Sequence, residues 1–343
     1  MKITIIYRFI IGVDIAKETL ELYLLDLKTG QGYARQVRNS PEGFARLGRW
    51  LTSHEAGKSE TVLCSEHCGR YGEHLLGWTT ANGWPHAVLK TTALEKVGGE
   101  HHRKSDPWDA QGLAEYGRRF ADRLRLAEAP KPAVKQLKRL CAERRKMVDR
   151  RASLRQKRTE ADYHDADMSR LLAMWNEQIA LLSEHINEIE AQIATLISED
   201  PALRRRHQTM RTAPGIGPVV GGRWMSLFAG QQTLDPGKIC SRFGWAPHPH
   251  SSGSSVSKPN RSSGFGNGEM RRIMHQAALS VAQNYEHYAN YYKRKKAEGK
   301  HHLVVINNII NKLIHLYCAM WNNRSEYDPN YIQKMKKQWK KSA

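Results

Sequence analysis

The chain has 343 residues and a mass of 39.2 kDa, a length typical of two or three domains. Lysine and arginine number 54 against 34 aspartates and glutamates, which gives a formal net charge of +20 and an isoelectric point of about 9.8. Hydrophobic residues make up 40% of the chain, enough for packed cores, so a disordered basic tail is excluded. The charge favours a polyanionic partner over a small neutral substrate.

Hydropathy and cysteine content favour nucleic acid over a membrane surface as that partner. The longest apolar stretch, residues 3–15, contains Arg8 and Asp14 and is too short and too charged to span a bilayer. No small-residue cleavage site follows it, so no signal peptide is predicted. The five cysteines are sparse and odd in number, which indicates a reducing compartment, and the Cys64/Cys68 pair lacks the second pair of a zinc site.

The first segment, residues 1–125, is predicted to be α/β. Its elements alternate between short apolar runs and helical patterns bounded by caps and turn residues. We expect a first strand that ends at Asp14, a second over 20–25 and a third over 33–37. A helix then begins at Pro41 and is capped by Ser40. After it we expect a short strand over 61–64 that leads to Glu66, a helix over 71–80 and a strand over 86–89. Three strands, helix, strand, helix, strand is the order of an RNase H-like sheet.

The second segment, residues 126–200, is predicted to be helical. Its first half, residues 131–160, holds 12 basic residues against 3 acidic ones, a pattern of either a solvated face or a face that follows phosphates. The second half has two apolar series with a seven-residue repeat, offset by three, which indicates either a helix packed on its own domain or a coiled coil that joins subunits. The series are Leu172, Ile179, Ile186 and Ile193, and Trp175, Leu182, Ile189 and Leu196.

The third segment, residues 201–325, is predicted to be mainly α-helical. A glycine-rich turn lies at 213–222, and a loop of small residues is expected at 248–268 between helical stretches. The tail, residues 326–343, is basic.

Four carboxylates in the first segment form a candidate metal site. Asp14 and Glu66 end predicted strands, and Asp106 and Asp109 lie three apart on one face of a predicted helix start. Asp106 alone is also a typical helix cap. Carboxylates gathered in a fold require a cation, and such a set can hold two Mg²⁺ ions about 4 Å apart for phosphodiester cleavage.

Three blocks around these residues, 12–17, 66–71 and 104–110, resemble those of the DEDD transposases, the IS-one-ten (Piv/MooV-like) insertion-sequence recombinases. The resemblance implies a RuvC-like first domain with Asp14, Glu66, Asp106 and Asp109 as its catalytic acidic tetrad. It also implies Mg²⁺ or Mn²⁺ as the cofactor.

The third segment continues the resemblance with blocks at 214–218, 243–247, 251–253 and 266–272, typical of the family's transposase domain. By this match Ser252 is the nucleophile that joins covalently to DNA, and Ser251 is the reserve choice. A glycine beside the serine permits close backbone approach, although a Ser/Gly-rich stretch is also typical of a flexible loop.

Basic residues of these blocks, of the serine-rich stretch and of the basic segment 131–160 are candidate phosphate contacts, with solvated surface as the alternative. They are Lys104, Arg144, Arg145, Arg151, Lys258, Arg261, Arg271 and Arg272.

The resemblance therefore implies a recombinase of the bacterial cytoplasm or nucleoid that cuts and rejoins donor and target DNA. It further implies a structured guide RNA (a bridge RNA), with no membrane partner. Recombination of two duplexes needs several active sites, so we also expect a homo-oligomer, dimer or tetramer, assembled through the coiled coil. Two alternatives remain. One is a RuvC-like, metal-dependent junction resolvase that uses water as the nucleophile, and the other is a non-enzymatic nucleic-acid-binding protein whose acids cap helices and pair with arginines.

Overall fold

The structure is a computed structural model that describes residues 7–89, 106–163, 167–252, 256–262 and 266–330. The chain divides into two compact units, Met1–Ala129 and Pro130–Ala343. The fold is mixed, with an α/β first unit and a mainly helical second unit.

A five-stranded sheet forms the centre of the first unit, in the order β3-β2-β1-β4-β5. Strands β1 to β3 are antiparallel neighbours, whereas β4 is parallel to β1 and β5 is parallel to β4. The strands are β1 (Phe9–Ile15), β2 (Thr19–Asp26), β3 (Gly32–Arg38), β4 (Thr61–Glu66) and β5 (His86–Leu89). The order of strands and helices along the chain agrees with the sequence prediction.

Helices cover both faces of this sheet: α1 (Pro41–Ser53), α2 (Gly72–Ala81) and α3 (Asp106–Arg119). Side chains alternate between the two faces of the sheet along a strand, so each strand contributes side chains to two cores. One core joins Phe9, Ile11 and Val13 of β1 to Leu47 of α1 and Leu75 of α2. The other joins Ile10 of β1 and Cys64 of β4 to Leu113 and Ala114 of α3. The buried Cys64 thiol, whose pKa burial raises to about 12, is a core group.

Two long helices, α4 (Pro132–Glu160) and α5 (Ser169–Glu199), pack side by side in the second unit. The repeat predicted from the sequence gives the buried face of α5, which includes Ile179, Ile186 and Ile193. A hydrogen bond also joins the two helices: Arg144 Nε of α4 donates to Glu190 Oε1 of α5 at 2.7 Å. The heptad face therefore packs on α4 of the same chain, which is the first of the two interpretations given above.

The remaining helices surround a second core in which Trp224 and Tyr317 meet edge to face. Tyr317 Oη donates to Pro214 O at 2.6 Å and so fixes the predicted glycine-rich turn to this core. The helices are α6 (Pro201–Arg211), α7 (Pro218–Phe228), α8 (Pro236–Arg242), α9 (Gly268–Asn284), α10 (Glu286–Ala297) and α11 (His302–Asn323). Among the described residues, α11 alone is long and apolar enough to cross a membrane, and half of its apolar stretch is buried in the unit.

The segment expected as a loop of small residues contains a two-stranded antiparallel ribbon, β6 (Pro247–Ser252) and β7 (Val256–Ser262). The loop prediction was wrong here. These strands carry serines, histidines and basic residues without the apolar alternation that identifies a strand with one buried face. They pair with each other, so their hydrogen bonds form without that pattern.

Candidate active site

Asp14 and Glu66 lie at neighbouring positions on two parallel strands. Val13 of β1 is in register with Ser65 of β4, so the next residue on each strand is one of the two acids. Residues in register on neighbouring strands point to the same face, and such strands lie about 4.8 Å apart. Both side chains are half-buried at the carboxyl ends of their strands. The sheet therefore brings the first two predicted carboxylates together.

The thiol of Cys68 lies within electrostatic reach of both acids. Burial, then the charges of Glu66 and Asp14, raise its pKa above the ordinary value, while a hydrogen bond with the backbone of Ile15 acts in the opposite direction. A thiolate beside two carboxylates is disfavoured, so Cys68 stays protonated at neutral pH and contributes no charge to this edge. Oxygen ligands are those that Mg²⁺ prefers, so the two carboxylates are the candidate ligands for a cation at this edge.

Helix α3 packs on the face of the sheet to which Asp14 belongs. A Cβ atom on Gly12 would lie 1.8 Å from the carbonyl oxygen of Ala110, so the backbones of β1 and α3 are in direct contact there. Near the other end of the helix, a Cβ on Gly117 would lie 2.8 Å from side-chain atoms of Ile10 and Cys64. The helix thus runs antiparallel to β1, and its N-terminal end lies towards the end of the strand that carries Asp14.

The two helical aspartates belong to this N-terminal end. Asp106 begins α3, and Asp109 lies in its first turn with an exposed side chain. The side chain of Asp106 and the whole of Lys104 lie outside the described residues. Among the side chains that the structure describes, no three histidine, cysteine or acidic groups are close enough to form a metal-binding cluster.

A cavity of about 270 Å³ opens beside Glu66. It is lined by the segment that follows β4, including Cys68 and Arg70, and by Glu73 of α2. The edge of the sheet that carries Asp14 and Glu66, the acidic edge, is therefore accessible from outside, as a site acting on a large substrate requires.

In the second unit, Ser251 and Ser252 end β6 at the tip of the ribbon. Ser252 is in register with Val256, and Ser251 with Ser257. Across the ribbon, His250 is in register with Lys258, and the pairing shifts between His248 and His250. The backbone thus places the two candidate nucleophiles at the end of β6, with Lys258 and Arg261 on the opposite strand.

The block that follows the ribbon in the chain, residues 266–272, is held in the second unit by contacts at the start of α9. Asn267 caps this helix, its Oδ1 accepting from Met270 N at 3.1 Å. Glu269 is buried and forms an ion pair of 3.1 Å with Arg223 of α7. Gly266, with φ of +119°, lies so close to Arg242 O that a Cβ there would be 2.5 Å away. The block at 266–272 is thus fixed by contacts within the second unit.

Several predicted phosphate contacts have partners within the chain. Arg144 pairs with Glu190, and Arg151 Nη1 donates to Ser183 Oγ at 3.0 Å. Asp149 is shared, since Arg272 lies 2.7 Å and Arg145 3.5 Å from its carboxylate. Their roles toward DNA or RNA stay predictions.

Sequence reasoning did not select Arg205, Arg206 and Arg324, which line one cleft, although the Arg204–Arg206 run on α6 was a visible signal.

Two family models match the chain. A transposase model of the DEDD IS110 type covers residues 11–161, and the model "Transposase IS116/IS110/IS902 family" covers residues 207–293. Together they span more than half of the chain. The chain belongs to the IS110 family of transposases.

Individual relatives agree with this assignment. The chain is 25% identical over 332 residues to the pilin gene-inverting protein of Moraxella lacunata, covering 93% of this chain and 97% of that one. It is 23% identical over 153 residues to an uncharacterized 44.8 kDa protein of insertion element IS116 from Streptomyces clavuligerus, covering 44% of this chain and 37% of that one. A solved structure, T. thermophilus RuvC in complex with Holliday junction substrate, aligns with 33% of this chain and 96% of its own, at 14% identity and a TM-score of 0.24. This IS110 transposase is a DNA recombinase enzyme, as its family is.

Proposed function

We propose that the transposase cuts and rejoins donor and target DNA through a covalent bond to Ser252, with Asp14, Glu66, Asp106 and Asp109 as a metal-binding tetrad. The observation that carries the proposal is the neighbouring position of Asp14 and Glu66 at the ends of parallel strands, with the N-terminal end of α3 lying towards them. Enzymes of the family act on DNA, and such chemistry requires charge neutralisation at the scissile phosphate.

The donor set fits a hard divalent cation. Carboxylate oxygens at a partly open edge are suited to Mg²⁺ or Mn²⁺, which retain water and take few protein ligands. When bound, such an ion polarises a phosphoryl oxygen and stabilises the charge of the transition state. The role of the protein is to hold the carboxylates in place through β1, β4 and α3.

The serine step conserves phosphodiester bonds. The Ser252 hydroxyl loses its proton, its oxygen bonds to the scissile phosphorus, and the bond from phosphorus to one deoxyribose oxygen breaks and leaves a DNA hydroxyl. Attack by a deoxyribose hydroxyl of the second duplex reverses the step and releases the serine. Because one ester replaces another, rejoining needs no nucleotide cofactor.

A guide RNA and a homo-oligomer complete the proposal. A net charge of +20 suits a protein that holds nucleic acid by its backbone while base pairing selects the sequence. Exchange between two duplexes requires several active sites, and exposed apolar side chains of α5 offer a surface for a dimer or tetramer. The expected place of action is the bacterial cytoplasm or nucleoid.

A denaturing capture experiment tests the serine step. The protein is incubated with DNA of the element ends, the element's RNA and Mg²⁺, and then denatured with detergent. We expect DNA attached to protein in the wild type and in Ser251→Ala, and none in Ser252→Ala. If DNA attachment is lost in Ser251→Ala alone, the nucleophile is Ser251 and not Ser252. Free cleaved DNA that persists in both variants would favour the resolvase that uses water.

The tetrad is tested by Asp14→Asn, which keeps the size of the side chain and removes its charge. We expect cleavage to fall at least about 100-fold while DNA affinity changes little. Glu18→Gln is the matched control, since Glu18 is an exposed acid of the same unit that faces Lys17. Unchanged cleavage by Asp14→Asn would contradict the metal site, and binding without cleavage by the wild type would favour the non-enzymatic alternative.

A further inference from the structure

A cleft of about 490 Å³ lies in the second unit, formed by residues that are not candidates for catalysis. Helix α6 and the C-terminal end of α11 form its walls, and Met210, Met320 and Trp321 supply apolar surface. Three arginines line it: Arg205, Arg206 and Arg324. Its volume lies within the range that holds a small organic group such as a nucleotide.

Arg206 is held in a fixed orientation in this cleft. Its guanidinium carbon lies 4.3 Å from the centroid of the Trp321 ring, a cation–π contact. Its Nη1 donates to Gln231 O at 3.1 Å, and Trp321 Nε1 donates to the same oxygen at 3.1 Å. A guanidinium fixed in this way loses little freedom when it binds a ligand. Among the described residues, Gln231 O is the one acceptor of its N–H groups, so the other N–H groups can donate to a ligand.

The described residues do not compensate the positive charge of the cleft. Within the described part of the chain, no carboxylate lies within 4 Å of the guanidinium groups of Arg205, Arg206 and Arg324, whereas Arg144 and Arg272 each have such a partner. Burial, followed by the charge of Arg324, lowers the pKa of Arg206. Three cations gathered without an anion repel one another, so an anionic ligand relieves an unfavourable arrangement.

We propose that this cleft binds the phosphodiester backbone of a nucleic-acid strand, with Arg205, Arg206 and Arg324 as its phosphate contacts. Guanidinium groups donate in pairs to phosphate oxygens, and Thr209 and Gln232 supply further polar groups beside them. Backbone contacts of this kind position a strand without reading its sequence. The proposal goes beyond the cleavage chemistry, because binding here requires neither the acidic edge nor the serine ribbon.

Equilibrium binding in EDTA tests the proposal apart from catalysis. The variant Arg205→Gln/Arg324→Gln removes two exposed cleft charges and leaves Arg206 on Trp321. The control Arg170→Gln/Arg204→Gln removes two exposed charges of α5 and α6 that do not line the cleft. Fluorescence anisotropy is measured with a labelled DNA duplex and with an RNA strand at several salt concentrations.

We expect the cleft variant to bind at least tenfold more weakly, and the slope of log K against log salt to shrink by about 1 to 2. The control should lose less than threefold. A loss confined to DNA, or to RNA, identifies which strand occupies the cleft. Equal losses in the two variants, or no loss in either, would overturn the proposal.

Arginine footprinting on the wild-type chain gives a second reading that needs no substitution. Phenylglyoxal modification is quantified by peptide mass spectrometry with and without nucleic acid. We expect protection of Arg205 and Arg324 and unchanged modification of Arg170. If the cleft arginines react equally in both samples, the strand does not enter the cleft. Loss of the serine adduct would leave both measurements unaffected, so the two proposals fail separately.

Discussion

At the residue scale, the placement of α3 depends on the missing side chain of Gly12. The helix backbone occupies the space where a Cβ would lie, so α3 approaches β1 more closely than any other residue at position 12 would allow. This approach directs the first turn of α3, with Asp109, towards the end of β1. A glycine two residues before Asp14 is therefore a structural requirement of the candidate site.

Gly12→Ala should destabilise the first unit by about 2–3 kcal/mol, because its Cβ meets backbone rather than a movable side chain. It should also lower cleavage. Urea unfolding measures the first effect. Gly77→Ala in α2 is the control, since a Cβ at Gly77 meets nothing within 4 Å, and it should leave stability equal or slightly raised. Equal stability of Gly12→Ala and wild type would show that α3 can move away without cost.

At the scale of elements, a buried ion pair joins α7 to α9. The side chains of Arg223 and Glu269 are 12% and 7% exposed, so removing one partner leaves the other buried and uncompensated. Glu269→Ala should lower the free energy of unfolding by about 3 kcal/mol. Glu298→Ala, which removes an exposed partner of Lys295, should cost much less, because solvent screens an exposed pair. Urea-unfolding midpoints compare the two variants, and similar losses would contradict a stabilising role of the buried pair.

A buried histidine couples the stability of the sheet to pH. His86 lies between Ser65 of β4 and Thr79 of α2, at 2.8 and 3.1 Å. The Thr79 hydroxyl donates to Leu76 O, so His86 Nδ1 donates to Thr79 and Nε2 accepts from Ser65. Burial lowers the pKa of His86 to about 4, and both hydrogen bonds suit the neutral ring.

The folded pKa lies below the ordinary value, so this contribution is fully present above about pH 6.5 and is lost as the pH falls towards 4. The first unit should therefore lose stability over that interval. His86→Gln, which does not titrate, should flatten the dependence. Hydrogen exchange of β4 and β5 peptides in urea at pH 7 and pH 5 measures how the stability of the first unit changes with pH. An equal decrease in both proteins would assign the effect to other groups.

At the scale of the whole molecule, assembly is the feature that the heptad pattern alone could not settle. The α4 helix covers the heptad face of α5, yet Leu171, Met174 and Leu181 are 43%, 47% and 51% exposed near the start of α5. These side chains lie on a second stripe, next to the buried one. An apolar stripe left in solvent favours contact with another copy of the chain.

Leu181→Glu should therefore shift the protein towards the monomer in sedimentation velocity runs, by at least tenfold in the association constant. Ala191→Glu is the control, because it adds the same charge to an exposed position on the same helix. A wild-type chain that is monomeric at all concentrations, or equal shifts by both variants, would rule out this surface.

The sequence by itself determined the elements of the first unit and the family. The end of β4 at Glu66, the end of β1 one residue after Asp14 and the cap at Ser40 follow from local patterns, since apolar runs and caps act within a few residues. The heptad series likewise gave the buried face of α5. The basic run on α6 was visible in the sequence, but its place beside a cleft was not.

The tertiary structure decided what those elements do together. The β6–β7 ribbon has no apolar alternation, so it depends on pairing between segments rather than on a local pattern. The partner of the heptad face, the buried Arg223–Glu269 pair and the joining of Arg205 and Arg206 to Arg324 link residues far apart in the chain. Such contacts form after the backbone has closed long loops, and no pattern confined to a few neighbouring residues records them.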